Sequence, residues 1–270
     1  MLTLPSKLGF GVSGAHGTPL VAPASTRALV EAAFEAGVRV FDTAPAYGNG
    51  EAERRLGAAL RTLGRERVLL TTKAGLFSSG LARRRRDFSP DAIEASLRAS
   101  LDRLGVAGVD VLFLHGAAPD ELGAALVARL EALRRAGAFV HLGAAGRGGE
   151  LDAAIERVEI AAVMAPMHPF LSAEERARLD RARAAGKAVF AIETAGDAPP
   201  GLRAPRRPGD LFALAKGVRA RLGGVRGRGR VGVPDGLGAA LHGGAHCALF
   251  TTTRHAHLRA CLAAGQPCSE

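Results

Sequence analysis

The chain of 270 residues contains no tryptophan, one tyrosine (Tyr47) and eleven phenylalanines, so aromatics make up only 4% of it. That scarcity disfavours aromatic cages, base-stacking platforms and tryptophan-lined sugar grooves. Lysine is scarce too, with four against 32 arginines. The three cysteines, Cys247, Cys261 and Cys268, are odd in number and form no C-x-x-C pair. They predict no disulfide framework and suit a reducing compartment. No apolar run approaches the ~18 residues that span a bilayer. The opening residues lack the charged and apolar regions of a secretory leader. These absences predict a soluble, cytoplasmic protein without a membrane partner.

What is abundant is alanine, arginine, glycine (35 residues) and a net charge of +10. Basic charge alone is the usual property of a solvated surface. With no aromatic interleaving, it predicts no nucleic-acid partner. Hydrophobic residues are 47% of the chain, enough for one substantial core.

Short β-rich runs alternate with amphipathic helical stretches. Strands are predicted at 8–12, 38–43, 68–73, 109–115, 139–143, 161–166, 188–193 and 247–251. Helices are predicted at 25–36, 51–63, 89–104, 120–136, 150–157, 172–185, 210–222 with 236–242, and 254–264. Ser89-Pro90-Asp91 reads as a cap followed by a first-turn proline and acid, and Ser172 with Glu175 as a capping box. Eight such alternations in one domain predict a single α/β (β/α)8 TIM barrel over 1–270, with a doubly wound open sheet, which usually has fewer strands per domain, as the runner-up. The Pro/Gly/Arg-rich stretch 197–234 interrupts the rhythm after the seventh strand and reads as an insertion at the functional face. The Arg83–Arg86 run reads as a solvated loop.

Gly9-Phe-Gly-Val-Ser-Gly14 matches G-x-G-x-x-G. However, Pro19 and Pro23 follow before any helix opens, so the dinucleotide-fold context fails. The glycines instead let the first barrel strand turn closely past a ligand. His242, His246, His255 and His257 invite a metal reading. The first pair precedes the eighth strand and the second follows it, about 17 Å apart for a five-residue strand, so no metal site is predicted.

Polar residues cluster at strand ends. Asp42, Lys73 and His115 each close an apolar run, and Tyr47 follows Asp42 in the second βα loop. On a barrel these four converge at the C-terminal mouth. A phenol with a free pKa of ~10 is a weak acid near neutral pH. A neighbouring ammonium stabilises its phenolate, a carboxylate keeps that ammonium charged, and an imidazole orients a carbonyl. The set is suited to protonating a carbonyl oxygen while hydride reaches the carbon.

The segment Gly37-Val-Arg-Val-Phe-Asp-Thr-Ala-Pro-Ala-Tyr-Gly48, with Glu51–Gly57, Thr72-Lys73, the helix end Ser96–Leu104 and Val109-Asp-Val-Leu-Phe-Leu-His115, resembles the aldo-keto reductase superfamily over about residues 8–145. The resemblance implies NADP(H), in preference to NAD, as cofactor and a small-molecule aldehyde or ketone as substrate. It implies that Asp42, Tyr47, Lys73 and His115 are catalytic. Phe250-Thr-Thr-Thr-Arg-His-Ala-His-Leu258 resembles the family's adenosine-phosphate segment. It implies cofactor contacts from Thr251, Thr252, Thr253, Arg254 and His257, with Asp42 near the nicotinamide. The departures are Ala145, Gly146 and Met164, where the family carries Ser, Asn and Gln that hold the nicotinamide carboxamide. They motivate an alternative: a non-catalytic barrel of this type with a regulatory or partner-binding role.

Overall fold

The computed structural model describes residues 2–79, 83–199, 201–202 and 204–265. Eight parallel strands close into a barrel: β1 (Leu8–Gly11), β2 (Val40–Asp42), β3 (Leu69–Ala74), β6 (Val109–His115), β7 (Phe139–Ala145), β8 (Ile160–Pro166), β9 (Ala188–Ile192) and β10 (Cys247–Phe250). The two remaining strands, β4 (Leu76–Ser79) and β5 (Arg83–Arg86), form an antiparallel hairpin after β3. The arginine run expected as a loop is therefore a strand. Antiparallel pairing with β4 supplies backbone bonds that a solvated loop lacks. Arg86 reaches from it to the Gly116 carbonyl (2.6 Å) and to Glu121 (2.6 Å).

The helices are α1 (Pro23–Glu35), α2 (Glu51–Leu63), α3 (Pro90–Leu104), α4 (Ala124–Arg135), α5 (Gly149–Ile155), α6 (Ala173–Ala184), α7 (Pro208–Leu222), α8 (Val233–His242) and α9 (His255–Ala263). Their ends follow local chemistry. Ser89 Oγ accepts from the Ala92 amide, and Gly105 closes α3 with φ +68°. The Ser172–Glu175 box closes in both directions, at 2.6 and 3.1 Å. The stretch 197–234 contains α7 and the start of α8.

Two layers of core follow from strand alternation. Outward residues such as Phe41, Leu70, Leu112 and Val163 pack beneath the helices. Inward residues such as Val40, Leu69, Val111, Phe113, Met164, Phe190 and Leu249 fill the barrel, with Leu2 and Leu4 packed against them. Gly9 is tightly packed inside the barrel: a Cβ there would lie 2.4 Å from Leu249. No helix opens directly after the G-x-G-x-x-G stretch; a short 3-10 turn, Gly14–Gly17, intervenes. Cys247 and Cys261 are free and buried, while Cys268 lies outside the described residues. Burial raises the Cys247 thiol, and raises Cys261 to about 12.

Candidate active site

The inward row of each strand delivers the polar residues. Two steps beyond Val40 is Asp42; two and four beyond Leu69 are Thr71 and Lys73; two beyond Phe113 is His115. All point into the barrel near its C-terminal mouth. Lys73 is 2% exposed and Asp42 4%. The Lys73 ammonium donates to both Asp42 oxygens at 2.6 Å and to the Thr43 carbonyl at 3.0 Å. Thr71 Oγ1 donates to Asp42 Oδ1 at 2.6 Å. Burial works against the charged lysine. Burial is the largest single influence, but the Asp42 carboxylate and the Tyr47 hydroxyl together outweigh it, so the Lys73 pKa is raised above its ordinary value.

Tyr47 lies half-buried in the β2–α2 loop, its ring centroid 5.3 Å from Lys73 Nζ. Backbone contact sets that loop in place. Gly48 has φ +63°, and a Cβ there would lie 1.9 Å from the Gly17 carbonyl oxygen. Only glycine permits both the conformation and the approach. His115 stands at the end of β6, beside β3, in register with Ala145 on β7. The structure thus brings Asp42, Lys73 and Tyr47 into one cluster and sets His115 on the adjacent strand at the same end.

Sequence reasoning missed two supports. Glu53 on α2 is fully buried, accepting from Thr72 Oγ1 (2.8 Å) on the outward face of β3 and from Arg103 (2.6 Å) on α3. It holds the back of the strand that carries Lys73. The signal was its place two residues into a helix following the tyrosine loop. His16 is also fully buried: Nδ1 meets Thr26 Oγ1 at 3.0 Å and Nε2 meets the Thr252 carbonyl at 2.9 Å. Desolvation, above all, lowers its pKa, as expected for a neutral ring. A lone histidine in a glycine-rich turn gave no signal, because one partner is on the next helix and the other 236 residues away.

Residues 251–254 form the turn between β10 and α9. Thr252 is buried, and its Oγ1 accepts from the Arg254 amide at 3.2 Å. Thr251 and Arg254 are exposed; Thr253 and His257 are half-buried. Arg254 lies 3.7 Å from Asp210 at the start of α7. His257 meets the Cys261 sulfur at 3.9 Å one helical turn on. His246 Nδ1 instead accepts from the Val189 amide at 3.0 Å.

Whether a nicotinamide fits depends on β7 and β8. Ala145 and Met164 are 5% and 1% exposed and present no polar side-chain atom. The Gly146 amide is taken by the Met164 carbonyl (3.1 Å), and the Ala145 carbonyl by the Gly116 amide (2.7 Å). Glu150 fills the space beside Gly146, where a Cβ would lie 2.6 Å from its carboxylate. An Arg147–Glu193 ion pair joins the ends of β7 and β9 across β8. The mouth thus carries ionisable groups at Asp42, Lys73, Tyr47 and His115, while Ala145, Gly146 and Met164 present no side-chain donor or acceptor to a carboxamide.

Residues 7–197 match the model of the Aldo/keto reductase family, 191 residues of the 270. The chain belongs to this family. Among curated aldo-keto reductase relatives, a D-threo-aldose 1-dehydrogenase of Pseudomonas sp is 37% identical over 149 residues, 48% of this chain and 45% of the relative. An L-galactose dehydrogenase of Arabidopsis thaliana is 32% identical over 148 residues, 52% of this chain and 44% of the relative. The matches thus span less than half the length of these curated relatives. Two solved structures share the fold. An aldo-keto reductase of Bacillus halodurans in its holo form superposes with TM-score 0.74 at 20% identity, covering 97% of this chain and 89% of its own. A glycerol dehydrogenase of Gluconobacter oxydans gives 0.69 at 21%, covering 95% and 85%. The family match ends at Asp197, before α7 and the turn at 251–254.

Proposed function

We propose that the chain is an NADP(H)-dependent oxidoreductase that reduces a small aldehyde or ketone to an alcohol, with Tyr47 as general acid. The observation that carries this reading is the buried Lys73–Asp42 pair beneath the Tyr47 ring. A reduced nicotinamide, when bound, supplies hydride to the carbonyl carbon. The protein's part is the proton. Tyr47 Oη donates it to the carbonyl oxygen as negative charge gathers there. Lys73 faces the resulting phenolate, and Asp42 holds Lys73 charged and aimed. His115 donates to the same oxygen and orients it. Thr251, Thr252, Thr253, Arg254 and His257 form the segment that meets the adenosine phosphate.

Calorimetric titration with NADPH and NADH is the first test. Three missing carboxamide hydrogen bonds at ~1 kcal/mol each weaken nicotinamide affinity by about two orders of magnitude. Binding of NADPH together with turnover of an aldehyde is the expected result. Tyr47→Phe is expected to abolish turnover and leave NADPH affinity within about twofold. Turnover that survives this change refutes the assignment. The filled space beside Gly146 favours a second reading, a non-catalytic regulatory barrel. Absence of any nicotinamide binding selects it.

A further inference from the structure

The helix α7 is packed in an unusual sense. Its only fully buried residue is Gly217. Phe212 lies against Gly14, and Gly209 against Thr253 and Val21, so its start is anchored beside the loops at the barrel mouth. Its larger aliphatic residues face away. Leu211, Val218 and Leu222 are 44%, 38% and 85% exposed, and with Leu214 they line one open depression. At 100° per residue these four fall on one stripe, about 16 Å long. Arg219 and Arg221 fall at about 80° to either side of it. Between residues 206 and 230 there are eight lysines and arginines and a single acid, Asp210.

We infer that α7 is a docking surface for an anionic lipid bilayer, on which it lies with its apolar stripe in the headgroup region. An exposed aliphatic row edged by arginine on both sides is the pattern of a helix lying in a membrane interface. The long arginine side chains carry their charge out to the headgroups while the stripe goes deeper. The depression is open to solvent, and a fluid bilayer fills it without a preformed matching shape. A second copy of the chain would bring the same basic segment against itself, in a molecule of net charge +10. The lack of a long apolar run bears on crossing a bilayer and not on resting upon one. No described helix is long and apolar enough to cross.

The test is flotation of the full chain with vesicles of phosphatidylcholine alone and of phosphatidylcholine with 30% phosphatidylglycerol, at low and high salt. A protein of this charge meets anionic vesicles electrostatically in any case. The decisive variant is therefore Leu211→Gln/Val218→Gln/Leu222→Gln, which keeps every charge. The wild type is expected to float with the anionic vesicles and not the neutral ones. The variant is expected to bind about tenfold more weakly, with unchanged circular dichroism and turnover. Equal binding by the variant overturns the assignment, since charge alone then explains the attachment. No binding to either vesicle also overturns it, and leaves the stripe to a protein occupant. Sedimentation velocity without lipid covers the remaining case: a dimer that the variant abolishes gives the stripe to a second copy.

Discussion

At the scale of single residues, the site rests on one buried charge pair. Removing one partner leaves the other charge buried and uncompensated. Lys73→Met is expected to cost about 3–5 kcal/mol in urea denaturation, besides abolishing turnover. The pH dependence has a definite sign. The Lys73 pKa in the folded protein lies above its value in the unfolded chain. Its stabilisation is therefore complete below the ordinary lysine range and lost as pH rises through the folded value. Alkaline titration of stability is expected to show wild type and Lys73→Met converging above about pH 10.5. Met164 tests the cofactor end. A glutamine there is buried without a partner in the free protein, at a cost of about 1–3 kcal/mol. If the nicotinamide amide sits against β8, NADPH raises the Tm of Met164→Gln more than that of wild type. An equal rise in the two proteins places the amide elsewhere.

At the scale of elements, the β2–α2 loop is held by backbone approach. In Gly48→Ala the new methyl meets the Gly17 carbonyl, so the loop that carries Tyr47 has to shift. The expected outcome is a fall in kcat of tenfold or more, since about 1 Å of misplacement costs that much or greater. NADPH affinity measured by calorimetry should hardly change. The helices at this scale were well marked in the sequence. The spans of α2 (Glu51–Leu63) and β6 (Val109–His115) are as expected, because caps, glycine stops and apolar runs are local signals. The β4–β5 hairpin was missed because four arginines conceal a strand whose pairing, not composition, defines it.

At the scale of the whole molecule, the segment after β9 runs out to the loops that follow β1 and β10 and comes back to its own start beside Asp197. We read 197–234 as an insertion whose second half is fastened by an ion-pair clamp. Arg228 pairs with Glu175 on α6 at 2.6 Å and with Asp197 at 2.9 Å. The Arg228 hydrogen bond holds the Glu175 carboxyl at about 2. Its contribution is present at neutral pH and fades as pH falls from the ordinary carboxylate range towards that value. Arg228→Ala is expected to expose the segment to limited proteolysis at neutral pH while the barrel's Tm changes little. Unaltered cleavage would show that the clamp does not hold it.

The sequence alone determined the eight-fold alternation, most element boundaries and the three strand-end groups with the loop tyrosine, because each depends on periodicity or on residues near one another in the chain. The solitary tyrosine was conspicuous for the same reason. Only the tertiary structure decided that Lys73 and Asp42 share two short hydrogen bonds and that Glu53 braces the strand behind them. It alone joined His16 to Thr252, filled the space beside Gly146 with Glu150, and turned the apolar side of α7 outward. These depend on side chains meeting across strands and loops up to 236 residues apart, where no local pattern records which partner each polar group finds.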